Sequence, residues 1–191
     1  TYRRAGSAAS QMAAPQVDEA FIASTRCILL SGITQAISPG ARAATLAAAR
    51  LARQHGVLVA YDPNYRPRLW GAPDNAREAC AELLPYVDIL LPSLPADGDI
   101  FPCPPQSLVG HVVVKHGEEG CEVWLRGERT RVPAATARVV DTTGAGDAWN
   151  GAYLAALLRG ESAPAAAVLA NRVAAAKLAY RGAIPPRDFA D

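Results

Sequence analysis

Apolar runs and helical stretches alternate along the chain. "CILLSGI", residues 27 to 33, reads as a buried strand. "PGARAATLAAARLARQHG", residues 39 to 56, predicts a helix with Pro at its start and Gly just past its end. "VLVAYD" (57 to 62) is a second strand and "PDNAREACAELLPYV" (73 to 87) a second helix. "VDILLPS" (87 to 93) is a third strand, and its near-continuous apolar run suits a parallel sheet covered on both faces. A loop rich in Pro, Asp and Gly follows, and "HVVVKHG" (111 to 117) makes a fourth strand. "CEVWLRGERTRVP" predicts a hairpin at the sheet edge, two shorter strands around a Gly-Glu turn. Two Ala-rich helices end the pattern, at about 145 to 159 and 162 to 180.

This order implies an α/β fold: an open, doubly wound, mostly parallel sheet with right-handed crossovers and helices on both faces. In such a sheet, ligands bind beyond the carboxyl ends of the strands. "YDPNYRP", "LLPS" and "KHGEEG" all stand at such ends, so three strand ends carry polar or Gly-rich sequence where a site is expected. At 191 residues, half of them apolar, the chain suits one domain over 1–191 with an ordinary core.

A formal charge of +1 with scattered Lys and Arg argues against nucleic acid or acidic lipid as a partner recognised through bulk charge. No apolar run approaches the length of a bilayer span, and the opening "TYRRAGSAAS" has no apolar core of a secretory signal. Cys27, Cys80, Cys103 and Cys121 lie far apart without a CxxC pair, which fits reduced thiols and a cytoplasmic location. They and His55, His111 and His116 show no metal-ligand spacing, so no resident metal site is expected.

The chemistry concentrates in "DTTGAGDAWNGAYLAALL". Its glycines let backbone N–H groups approach a ligand, and the following helix offers its positive end, so the turn is a ready anion site. Asp147 stands in the first turn of that helix, placed to take a proton from a hydroxyl attacking a bound phosphate. The same residues would also make an ordinary acidic first turn behind a tight glycine turn. No GxxxxGK[ST] motif occurs, and GxGxxG fails because Trp149 holds the third glycine position.

"DTTGAGDAWNGAY" resembles the C-terminal signature of the ribokinase-like (PfkB) carbohydrate kinases. "YDPNYRPRLW", "VDILLPS", "VVVKHGEEG" and the opening "YRRAGSAAS" resemble, in the same order, the 2-keto-3-deoxygluconate kinase branch. The resemblance implies a ribokinase-like fold and transfer of the γ-phosphate of ATP to a sugar hydroxyl. Asp147 would be the general base, with Gly144, Ala145 and Gly146 as the anion hole. Tyr2, Arg3 and Arg4 fall on the segment that contacts an acid sugar, and a guanidinium suits a carboxylate through paired hydrogen bonds. Arg66, with Asn64 and Tyr65, falls between sugar and nucleotide. Ser93, Lys115, Gly117 and Gly120 fall on nucleotide-binding segments, and Asn171 on the helix position beside the adenine. Mg²⁺ would come with the nucleotide, held by phosphates and water. Trp70, Trp124 and Trp149 read as packing residues.

The resemblance also has gaps. The family's N-terminal strands, lid and early sugar-binding motifs have no counterpart, so the chain looks like the C-terminal portion of such a kinase. Ala96 stands where relatives carry an acid in a segment tied to Mg²⁺ and phosphate, with Asp97 next to it, and Ala183 stands where some relatives touch the sugar with an acid. The leading expectation is phosphorylation of 2-keto-3-deoxygluconate to its 6-phosphate. Two alternatives stand beside it: a kinase for a neutral fructose- or ribose-type sugar, and a truncated, inactive nucleotide-binding remnant. A sheet edge left open by absent strands would favour association into a homo-oligomer.

Overall fold

The computed structural model describes residues 6–186. Six strands form one mixed sheet in chain order, with helices around it. The chain divides into two compact units, residues 1–113 and 114–191.

The first unit opens with two 3₁₀ turns and α1 (Glu19–Ala23), which the Asp18 carboxylate caps by accepting the Phe21 N–H at 3.0 Å. β1 (Cys27–Ser31) pairs in parallel with β2 (Leu58–Asp62), Cys27 opposite Leu58 and Ser31 opposite Asp62. The expected buried strand at 27 to 33 is shorter and half-exposed, with Leu29 42% accessible. It stops because the Ser31 hydroxyl accepts the Ile33 N–H and starts α2 (Gly32–Ile37). Gly32 is there for space: a Cβ would lie 2.1 Å from the Pro63 carbonyl oxygen.

α3 (Pro39–Gln54) follows the prediction closely, with Ser38 accepting the Ala41 N–H and Pro39 in the first turn. Its buried face is Ala41, Ala44, Thr45, Ala49 and Ala52, a stripe of small residues at helical spacing. β2 carries Val59, Ala60 and Tyr61 into the core. A one-turn helix, α4 (Pro67–Trp70), precedes α5 (Pro73–Leu83). The predicted helix to 87 ends early in a 3₁₀ turn at Leu84–Tyr86, since Pro85 cannot donate to the preceding turn. β3 is only Ile89–Leu90, parallel to β2, because Pro92 has no N–H to extend the ladder. β4 (His111–Lys115) pairs in parallel with β3 at Leu90 and Val112, and the unit boundary falls after its Val113.

In the second unit, β5 (Cys121–Leu125) and β6 (Glu128–Val132) form the predicted antiparallel hairpin. The turn is Arg126-Gly127 rather than Gly-Glu: both residues have positive φ, 52° and 88°, as a two-residue hairpin turn following the strand twist requires. α6 (Ala145–Leu158) and α7 (Ala163–Lys177) pack on each other; α6 buries Trp149, Tyr153 and Ala156, and α7 buries Ala166, Ala167 and Ala170. Among the described residues no helix is long and apolar enough to cross a membrane.

The four cysteines are free thiols. Burial pushes the Cys80 thiol up to about 12 and the Cys121 thiol up to about 11, whereas Cys103 is exposed. Iodoacetamide at pH 8 should therefore alkylate Cys103 in the native protein and reach Cys80 and Cys121 only on unfolding. Peptide mapping by mass spectrometry checks this, and native labelling of Cys80 as fast as Cys103 would contradict the packing described.

Candidate active site

α6 begins without a side-chain cap. Its N-cap is Gly144, in the left-handed region at φ 78° and ψ 6°. A Cβ there would lie 2.9 Å from the Ala183 carbonyl oxygen and 3.1 Å from the Ala183 Cα, so conformation and space both select glycine. The Ala145 N–H donates to the Thr142 carbonyl at 3.2 Å and the Ala148 N–H to the Gly144 carbonyl at 2.9 Å. Around Gly146 there is open space, and Asp147 beside it is exposed in the helix's first turn. Gly144, Ala145, Gly146 and Asp147 therefore form one backbone turn at the positive end of a fourteen-residue helix. Chemically, such a turn can hold an anion and present a carboxylate to a hydroxyl brought next to it.

The turn is tied to the segment that follows α7. Asp141 Oδ1 accepts the Thr143 N–H at 2.9 Å and Oδ2 accepts the Gly182 N–H at 2.7 Å. Those bonds from Thr143 and Gly182, helped by the charge of Lys177, hold the Asp141 carboxyl well below the usual carboxylate range. Ala183, the position that differs from some relatives, is the wall against Gly144.

Of the other residues singled out in the second unit, Lys115, Gly120 and Asn171 are buried and Gly117 is exposed. Lys115 is 8% exposed, donates to Asn150 Oδ1 at 3.0 Å and sits 5.8 Å from the Trp149 ring centre. Asn171 accepts from Trp149 Nε1 at 2.7 Å and donates to the Pro133 carbonyl at 2.8 Å. Trp149 also stacks on Tyr153, with ring centres 4.9 Å apart. Gly117 and Gly120 both have positive φ, and a Cβ on Gly120 would meet the Val132 carbonyl oxygen at 2.2 Å. Near Asn171 in sequence, α7 contributes Arg172, Val173 and Ala176 to a cavity of about 490 Å³ whose other lining includes Thr136 and Arg138.

In the first unit, β2 runs into the Asp62–Arg66 loop. Asn64, at φ 42°, donates its N–H to Asp62 Oδ1. Tyr65 is buried, its ring packed with Ala76, Ile100, Trp70 and Phe101. Arg66 is exposed and donates to the Tyr65 carbonyl at 3.3 Å. Ser93 is joined to this loop through Asp97, which is 1% exposed and accepts the Tyr65 N–H at 2.7 Å and the Ser93 N–H at 2.6 Å. Tyr2, Arg3 and Arg4 lie outside the described residues.

Three residues of this neighbourhood stand outside the set that the sequence points to: Asp141, Lys177 and Asn150. Asp141 heads the very motif that was singled out, and its distance of six residues from Asp147 was the available signal. Lys177, the one lysine of an otherwise Ala-rich helix, is fully buried, which nothing in the sequence announces.

The pfkB family carbohydrate kinase pattern matches residues 1–95 and 102–189. The 2-dehydro-3-deoxygluconokinase of Escherichia coli (strain K12) is 37% identical over 175 residues, covering 84% of this chain and 57% of the relative. The 2-dehydro-3-deoxygalactonokinase of Haloferax volcanii is 33% identical over 193 residues, covering 95% of this chain and 60% of the relative. A solved Escherichia coli structure described as a ribokinase II in complex with ATP and Mg²⁺ superposes with a TM-score of 0.87 at 26% identity, over 96% of this chain and 62% of that one. The chain thus spans less than two thirds of the length of each of these relatives. A match over nearly all of its residues means that the chain belongs to the pfkB family of carbohydrate kinases.

Proposed function

We propose that the protein transfers the γ-phosphate of ATP to the terminal hydroxyl of a sugar acid, 2-keto-3-deoxygluconate or a close relative. The observation that carries this reading is the Gly144–Asp147 turn at the start of α6. Its backbone N–H groups and the helix end favour the negative charge of the phosphate in transfer. Asp147 accepts the proton of the attacking hydroxyl, which sharpens the nucleophile as the bond to phosphorus forms. The exposed Arg66 guanidinium adds positive charge at the position that the resemblance sets between sugar and nucleotide. The cavity bounded by Arg138 and Arg172 is large enough to receive the base of a nucleotide.

Mg²⁺ would come with the nucleotide, held by phosphate oxygens and water, and would neutralise charge on the phosphates. The acid-sugar preference draws on the Escherichia coli and Haloferax volcanii relatives and on Arg3 and Arg4, since a neutral sugar does not call for that much positive charge.

The test is mass-spectrometric detection of phosphorylated product after incubation with Mg-ATP and, separately, 2-keto-3-deoxygluconate, fructose and ribose. Product from the sugar acid alone is the expected result. Product from a neutral sugar alone would overturn the substrate class, and no product from any of them would count against the kinase activity of this chain.

A further inference from the structure

Lys177 has no part in the chemistry proposed above, yet it is one of the most completely buried side chains in the protein, at 0% exposure. Its Nζ donates to the Asp141 carbonyl at 3.0 Å and to the Tyr180 carbonyl at 3.2 Å. Taking an ammonium out of water is costly unless its protons find acceptors, so a lysine at such a place needs a reason that leucine or methionine would not supply. The reason lies in what the two carbonyls belong to. Asp141 opens the turn that becomes the N-terminus of α6, and Tyr180 opens the segment whose Ala183 walls Gly144.

Other bonds converge on the same place. The N–H groups of Val140 and Asp141 both donate to the Leu178 carbonyl, at 2.7 and 3.1 Å, and the Gly182 N–H reaches back to the Asp141 carboxylate. Lys177 stands at the centre of this group, in the last turn of α7, where the helix's own carbonyls favour a cation. Backbone carbonyls from two chain segments, with the Asp141 carboxylate close enough to feel its charge, form a cage around one internal cation.

Resting on the kinase reading for its consequence, we infer that Lys177 is a positioning residue: its buried ammonium locks the 141–146 turn against the 180–183 segment and so sets the geometry of the anion site and of Asp147. The ammonium suits this role because it supplies donors to two carbonyl oxygens that repel one another without a donor between them, and its charge strengthens both bonds. Lys177 touches neither sugar nor nucleotide in this scheme and acts through the backbone of the turn.

The experiment compares wild type, Lys177→Met and Lys177→Ala by hydrogen–deuterium exchange and by transfer kinetics with Mg-ATP and the sugar acid. In Lys177→Met, amide exchange over 141–146 and 180–183 should rise by about tenfold or more while the 121–132 hairpin is unchanged. The value of kcat should fall by about 30- to 100-fold, the scale of a small misplacement of reacting groups. KM for ATP should change by less than about threefold, since the turn acts on the transferred phosphate rather than on the nucleoside. In Lys177→Ala, n-propylammonium, which replaces the missing atoms, should restore slow exchange and rate, and n-propanol should restore neither.

Exchange that stays slow over 141–146 in a folded Lys177→Met protein would overturn the inference, as would a rise spread evenly over the chain, or equal rescue by the alcohol. If Lys177→Met does not fold, Lys177→Ala refolded with n-propylammonium takes its place, and removing the amine must free the two segments before the hairpin. Absence of transfer by wild type counts against the kinase reading alone, since the exchange and rescue measurements judge the brace without turnover.

Discussion

Replacing Asp147 with asparagine is expected to lower kcat for phosphoryl transfer by about 10²- to 10⁴-fold, the usual contribution of a general base. The substitution keeps size and hydrogen-bonding capacity but removes the proton acceptor. Because Asp147 is exposed and no packing depends on it, thermal stability should change little, within about 0.5 kcal/mol. Nucleotide affinity, followed by the thermal shift with ADP and Mg²⁺, should be kept. The combination separates chemistry from folding and binding. A variant that retains wild-type kcat would remove Asp147 from the mechanism and return it to the role of an ordinary first-turn acid.

Replacing Asp97 with alanine is expected to be the most damaging single change to stability in the first unit. The carboxylate is 1% exposed and satisfies two backbone donors, Tyr65 N–H and Ser93 N–H, at 2.7 and 2.6 Å. Deleting it strands both in a place water does not reach, at a cost of about 2–5 kcal/mol. Thermal unfolding should therefore begin roughly 5–15 °C lower. The loss should be local in origin: exchange should rise first in the Asp62–Arg66 loop and around Ser93, the segments the carboxylate joins. Ala96→Asp is the matching control, because it sets an acid on the exposed neighbouring position and should shift stability by less than about 0.5 kcal/mol. An Asp97→Ala protein as stable as wild type would show that the two N–H groups find other partners and that Asp97 is not the tie between these loops.

The alternation of apolar runs with helical stretches was enough to locate the strands, the long helices and the order in which they come, because burying one face imposes a period that a sequence displays. It could not say where each element stops. Ser31 ends β1 by capping the next helix, and Pro85 and Pro92 truncate α5 and β3, all local chemistry that was readable but outweighed by the surrounding apolar residues. The hairpin turn was displaced by one residue because Arg126 takes a positive φ that side chains seldom adopt.

The candidate site divides in the same way. Gly144, Ala145, Gly146 and Asp147 are adjacent in the chain, so their turn is a local object and the sequence carries it whole. Asn64 and Arg66 are legible as a turn for the same reason. Asp97 meets Tyr65 across thirty-two positions, and Lys177 meets Asp141 across thirty-six, so neither pairing leaves a mark within any short window. Lys115 and Asn171, which the resemblance sets on nucleotide-binding segments, bond within the second unit to Asn150, Trp149 and Pro133, partners at least twenty-two positions away.

The sequence by itself determined the α/β class, the element order and the motif that holds the acid behind two glycines. These depend on periodicity and on backbone freedom, both properties of neighbouring residues. Only the tertiary structure decided that Gly144 must lack a side chain because Ala183 stands against it, that a buried carboxylate joins the loops of Tyr65 and Ser93, and that a buried ammonium fastens the anion turn. Those depend on which distant groups are forced together once water is excluded, where a polar atom must find its partner or the fold loses the energy of burying it.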